Sequence, residues 1–189
     1  MDTATDGPQA GAKPKTDTGV GTSTLMRMAT YASVTVATIL IVTKLGAWLA
    51  TESVSLLSSL VDSLLDAGTS LINLFAIYHA LQPADREHRF GHGKAEALAG
   101  LGQAAFIAGS GVFVMLEAID RLINPRAVIN GEVGIGVMVF AILLTTLLVL
   151  FQAFVVRKTG SLAITADSFH YRVDILVNAA VILSLFLAT

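Results

Sequence analysis

The sequence predicts an all-α fold, a polytopic transmembrane bundle of five helices. Three observations carry that prediction. Hydrophobic residues make up 54% of the chain and charged residues only 14%, against roughly 25% charged in an average soluble domain. That is too little charge to coat a water-facing surface. Mean hydropathy is +0.72. Apolar runs long enough to cross a hydrocarbon core, about 20 residues each, recur five times along the chain.

The elements follow in order. Residues 1–24 are polar, rich in Gly, Thr, Asp and Lys, and lack the apolar core of a signal peptide. They are expected to form a disordered cytoplasmic tail, with the membrane domain occupying 25–189. Helix 1 is predicted over 27–50 and helix 2 over 53–81, joined by a short turn at Thr51 and Glu52. Helix 3 is predicted over 95–123. Asn124, Pro125, Asn130 and Gly131 mark the turn to helix 4, predicted over 133–156. Lys158, Thr159 and Gly160 separate it from helix 5, predicted over 161–188. Helix 3 repeats small residues at spacing four, Gly100, Ala104 and Ala108, with Ala105 and Gly109 alongside. Such a stripe suits a dimer or bundle contact, although small residues are common in membrane helices anyway.

Orientation follows from the placement of Lys and Arg. With the N-terminus inside, the inner segments hold Lys13, Lys15, Arg27, Arg86, Arg89, Lys94, Arg157 and Lys158, and the outer turns hold only Arg121 and Arg126. The expected protein is a multi-pass plasma-membrane protein with a cytoplasmic N-terminus. The formal net charge of −2 gives no global basic balance for nucleic acid. The absence of Cys excludes disulfides and thiolate metal sites, so any metal must be held by oxygen and imidazole nitrogen.

Charged groups deep in a membrane helix cost about 2.5–3.5 kcal/mol each on insertion scales and mark function. Helix 2 carries Asp62 and Asp66, and helix 5 carries His170 and Asp174. Each pair is spaced i, i+4 and lies on one helical face. Depth is an independent check. At 1.5 Å per residue, Asp62 and Asp66 lie roughly 13 and 19 Å below the outer surface. His170 and Asp174 lie roughly 14 and 20 Å above the inner surface, or roughly 16 and 10 Å below the outer one in a core about 30 Å thick. The pairs are level to within a turn, so Asp62 is expected to face Asp174, and Asp66 to face His170.

Three carboxylates and an imidazole on two antiparallel helices suit a tetrahedral site for Zn²⁺. Harder ions such as Mg²⁺ prefer six oxygens and retained waters. Discrimination among Zn²⁺, Cd²⁺, Fe²⁺, Co²⁺ and Mn²⁺ then rests on geometry and supply. Three ionised carboxylates in a low dielectric are untenable, so the empty site is expected to share protons. Metal binding displaces them, which is the working step of a metal/proton antiporter with alternating access. The competing reading is a polar cluster that only joins helices 2 and 5. No nucleophile or competing acid–base arrangement supports an enzyme, and no permanent cofactor is implied.

Other polar groups carry weaker readings. Asn73 and Asn178 extend the polar stripes of helices 2 and 5, as pathway groups or as helix-to-helix hydrogen bonds. Lys44, near the outer end of helix 1, is expected to snorkel, and Glu117 to pair with Arg121. Asp167, one turn below His170, is either an access carboxylate or an ordinary early-helix acid. Arg172 is offset from His170 and Asp174 and faces away from them.

Asp62-x-x-x-Asp66 and His170-x-x-x-Asp174 resemble the transport site of the cation diffusion facilitator family. The stretches SVSLLSSLVDSLLD (53–66), QPADREHRFGHGKAE (82–96) and ADSFHYRVD (166–174) are similar too, most of all to its bacterial ferrous-iron and zinc efflux branch. The resemblance covers residues 25–189. It implies proton-driven export of divalent cations across the bacterial inner membrane by a homodimer. It also implies a second metal site in the loop between helices 2 and 3, matched here by Asp85, His88 and His92, three ligand-capable side chains within eight residues. Lys94 matches a lysine that helps lock the membrane part to the cytoplasmic part. Family members of this kind have six membrane helices and a cytoplasmic C-terminal domain. Against that pattern the chain is expected to be a truncated form, incomplete after helix 5. An alternative follows: a non-transporting membrane subunit that binds metal or a full-length partner.

Overall fold

The computed structural model describes residues 19–52, 54–86, 88–123 and 131–187. Residues 1–18 of the tail expected over 1–24 and the turn over 124–130 lie outside these residues, as do the side chains of Glu117 and Arg121, while 19–24 are helical. Among the described residues there are five helices: α1 (Gly19–Thr51), α2 (Val54–Ala80), α3 (Lys94–Ile123), α4 (Gly131–Thr159) and α5 (Leu162–Leu187). Among the described residues, α1 to α4 each contain a stretch long and apolar enough to cross a membrane. α5 has 26 residues, about 39 Å at 1.5 Å per residue, and carries Asp167, Arg172 and Asp174.

α1, α2, α4 and α5 form the body of the bundle, and α3 packs against α5 and α2. The close approach of α3 to α5 is made at Gly100, where an added Cβ would sit 3.6 Å from the Leu162 carbonyl oxygen. Ala104, Ala105, Ala108 and Gly109 of the small-residue stripe are exposed.

α1 begins two turns earlier than the hydropathy pattern predicts. Its first residues include Gly19, Gly21, Thr22 and Ser23, more polar than the run that follows, and the stretch apolar enough to cross a membrane takes in Gly21–Thr51. A helix needs only its own backbone hydrogen bonds to continue, so α1 extends through these polar residues. Arg27 in this region sits over the Tyr78 ring, 5.5 Å from its centroid, and ties the start of α1 to the end of α2.

The interhelix turns are built by specific residues. Glu52 closes α1 with φ of 50°, its N–H donating to the Trp48 carbonyl at 2.7 Å. Gly160 ends α4 with φ of 68°, its N–H donating to Val156 O at 2.8 Å. Ser161 then caps α5: its hydroxyl accepts from the Ile164 N–H at 3.2 Å. The core falls into two apolar clusters. Met26, Ala29, Ile77, Val155, Ala163 and Ile164 close one end, where α1 and α5 begin and α2 and α4 finish. Val36, Leu40, Ala141, Leu148, Val149 and Tyr171 fill the seam further along α1 and α4.

Candidate metal centre

Asp66, His170 and Asp174 converge between α2 and α5. Each offers one ligand atom, and these atoms all lie within 4.8 Å of one another. His170 Nε2 is 3.0 Å from Asp66 Oδ1 and 3.6 Å from Asp174 Oδ2. The level pairing expected for Asp66 and His170 is therefore present. The imidazole is almost fully buried at 3% exposure, while the carboxylates of Asp66 and Asp174 retain 23% and 29%. The ring is clamped by aromatic neighbours: Phe106 of α3 stands edge-on at 5.8 Å, and Tyr171 lies at 5.6 Å. Asp62 sits one turn along α2, exposed, and is not part of this group of three. Arg172 is exposed, away from the group.

The carboxylates open into a small cavity lined by Lys44, Ser63, Asp66, Thr145, Asp174 and Asn178 among others. On the opposite side of the group the protein is packed. Asp167 is fully buried there, neither an access carboxylate nor an ordinary surface acid of the first turn. Ser33 Oγ and Gln152 Nε2 each lie 2.6 Å from its Oδ2, and Gln103 Nε2 donates to its Oδ1 at 2.9 Å. One carboxylate thus joins α1, α3, α4 and α5. Tyr171 Oη and Ser70 Oγ share a hydrogen bond of 2.8 Å beside it. Asn73 is buried and donates to the Ala163 carbonyl at 3.2 Å, a helix-to-helix bond. Asn178 turns back to its own helix, donating to the Asp174 carbonyl at 2.9 Å.

Lys44 also departs from expectation. Instead of reaching outward to headgroups it is 8% exposed, and its ammonium donates to Ser63 Oγ at 2.6 Å and Ser59 O at 3.1 Å.

A second group forms in the loop between α2 and α3. Asp85, His88 and His92 each offer an atom within 4.8 Å of the others. The loop is folded by short-range bonds. Asp85 Oδ1 accepts from the His88 N–H, and the Gly91 N–H bonds the His88 carbonyl at 2.9 Å. Gly91 takes φ of 77°, a left-handed value that glycine adopts without cost. His88 Nδ1 lies 3.2 Å from Asp85 Oδ1, and His92 Nε2 lies 3.5 Å from Asp85 Oδ2. His92 is buried, with its Nδ1 unpartnered. The ring of His79, at the end of α2, stands edge-on to His92 at 4.5 Å. Nothing in the spacing singled His79 out, because it belongs to a helix terminus thirteen residues upstream. Lys94 opens α3 and is exposed.

The profile of the cation efflux transmembrane domain matches residues 30–189. The chain belongs to this cation efflux family. Curated relatives agree with that membership. Cation-efflux pump FieF of Yersinia pestis (strain Pestoides F) is 48% identical over 163 residues, covering 86% of this chain and 54% of the relative. The protein of the same name from Salmonella choleraesuis (strain SC-B67) is 48% identical over 164 residues, covering 87% and 55%. The chain therefore spans about half the length of the cation efflux relatives it matches. Within the matched range lie all four intramembrane candidates, Asp62, Asp66, His170 and Asp174, and the whole of the loop group.

Proposed function

We propose that this chain carries a divalent metal ion out of the cytoplasm in exchange for protons, as a homodimer in the bacterial inner membrane with its N-terminus inside. Asp66, His170 and Asp174 hold the ion, and Asp62 approaches from one turn away. Zn²⁺ is the best match to this nitrogen and oxygen donor set, with Cd²⁺, Fe²⁺, Co²⁺ and Mn²⁺ as competitors. The observation that carries the reading is the convergence of three ligand atoms from α2 and α5, within 4.8 Å of one another. The relatives' printed name, cation-efflux pump, supports the direction of transport.

The ion replaces protons because its ligands must be deprotonated to bind it. Affinity therefore falls as pH falls, and each ion loaded expels protons from the carboxylates. Asp85, His88 and His92 form a second station at the loop. The approach of one ligand atom from each residue to within 4.8 Å of the others supports it.

Proteoliposomes holding the purified chain are expected to accumulate Zn²⁺ or Cd²⁺ when a pH gradient is applied. Asp66→Ala is expected to lower uptake by at least about a hundredfold, the upper range for losing a metal-site group. Uptake that is unchanged in this variant removes the intramembrane site from the mechanism.

A further inference from the structure

Among the described residues that line the cavity beside Asp66 and Asp174, Lys44 is the one cation. Its position is built rather than incidental. The side chain crosses from α1 to α2, and its ammonium is pinned to two neutral acceptors, Ser63 Oγ at 2.6 Å and Ser59 O at 3.1 Å. Ser63 follows Asp62 by one residue and precedes Asp66 by three, so the ammonium stands level with the carboxylate stripe of α2. The carboxylates of Asp66 and Asp174 line the same cavity. Burying a lysine in a membrane helix costs several kcal/mol unless it serves a partner. Here its bonded partners are neutral, which leaves its charge directed at the cavity.

We propose that Lys44 is a specificity-determining cation of the transport site, a fixed positive charge that is not a ligand. This rests on the metal-transport reading of Asp66, His170 and Asp174. Asp62, Asp66 and Asp174 bring three formal negative charges when ionised, and one ammonium offsets one of them. The remainder is balanced by a single dication. A monovalent ion leaves the cavity charged, and a dication completes its neutrality. Lys44 also repels the ion it helps select. A carrier must hold its load tightly enough to capture it and weakly enough to release it, and an ammonium lining the same cavity weakens binding without touching the ion.

A charge role and a purely structural role predict opposite signs. If Lys44 only staples α1 to α2, removing it loosens the site and weakens metal binding. If its charge opposes the ion, removing the charge strengthens binding. The test titrates Cd²⁺ into the purified full chain by calorimetry at fixed pH, in a His88→Ala/His92→Ala background that isolates the intramembrane site. Lys44→Gln keeps a donor toward Ser63 and removes the charge. It is expected to bind Cd²⁺ about tenfold more tightly and to release it correspondingly more slowly, the scale of one unit charge acting across a partly shielded cavity. Lys44→Arg keeps the charge and is expected to stay within about threefold of the parent. Lys44→Met, apolar and similar in length, repeats the comparison if the Gln variant does not retain native helicity and a monodisperse profile. Unchanged or weaker binding in the uncharged variants overturns the proposal, as does equal tightening in Lys44→Arg. Cd²⁺ binding that survives Asp66→Ala overturns the underlying site reading, and the Lys44 proposal with it.

Discussion

Removing the Asp167 carboxylate takes an acceptor from Ser33, Gln103 and Gln152 inside the bundle; Ser33 keeps the Ala29 carbonyl and Gln152 keeps Ser33 Oγ, while Gln103 loses its partner on α5. Each buried donor left unpaired costs about 1–3 kcal/mol. Asp167→Ala is therefore expected to lower the thermal midpoint in detergent far more than Tyr171→Phe. The latter gives up a shared bond to Ser70, worth about 1 kcal/mol. Equal midpoints for the two variants show that Asp167 does not hold the four helices together. The difference between Asp167 and Asp66 is also a difference in legibility. Asp66 and His170 are readable from sequence because charges in apolar helices stand out, and because i, i+4 spacing and depth fix their level. The partners of Asp167 are neutral residues on three other helices, and no periodicity relates Ser33, Gln103 and Gln152 to it. Lys44 was misleading for a related reason. Depth alone places it near a membrane surface, where reaching outward is the default. The inward direction depends on the rotation of α1 and on Ser63 of the neighbouring helix.

Two of the residues in the left-handed region, Glu52 and Gly160, respond oppositely to substitution. Gly160 is followed at once by the Ser161 cap of α5, so its conformation sets where α5 starts and hence the heights of Asp167, His170 and Asp174. Gly160→Ala imposes a Cβ at φ of 68°, a cost of roughly 1–2 kcal/mol. Glu52 already bears that cost at φ of 50°, and Glu52→Gly is expected to recover roughly 1 kcal/mol of it, less the added freedom of the unfolded glycine. Reversible unfolding in mixed micelles measures both, and destabilisation by Glu52→Gly is the result that contradicts the strain. The order of helices and the positions of these turns were legible because apolar runs and turn residues are local signals. The first turns of α1 were not, since their polar residues, read one by one, hide that the apolar span takes in Gly21–Thr51.

The molecule as a whole is asymmetric about the Asp66–His170–Asp174 group. On one side the carboxylates meet a cavity reaching Thr145 and Asn178. On the other, the Asp167 network and the Met26–Ile77–Val155–Ile164 cluster fill the space between α1, α2, α4 and α5. If the proposed transport runs by alternating access, these two ends exchange roles, and with the N-terminus inside, as proposed, the cavity end is the one nearer the outer face. The chain contains no Cys, so single-cysteine variants need no prior removal of native thiols. Asn178→Cys puts a thiol in the cavity. Ser168→Cys puts one in the packed half, where the Ser168 hydroxyl is buried and makes no hydrogen bond that the change would break. In proteoliposomes without metal, a bulky membrane-impermeant maleimide is expected to modify Asn178→Cys from the outer face. Ser168→Cys is expected to resist reagent from either face until detergent denaturation exposes it. A shift in pH or metal that populates the opposite state should raise the Ser168→Cys rate from the inner face and slow Asn178→Cys. Rates for the two thiols that rise and fall together would show that the two halves do not open in alternation.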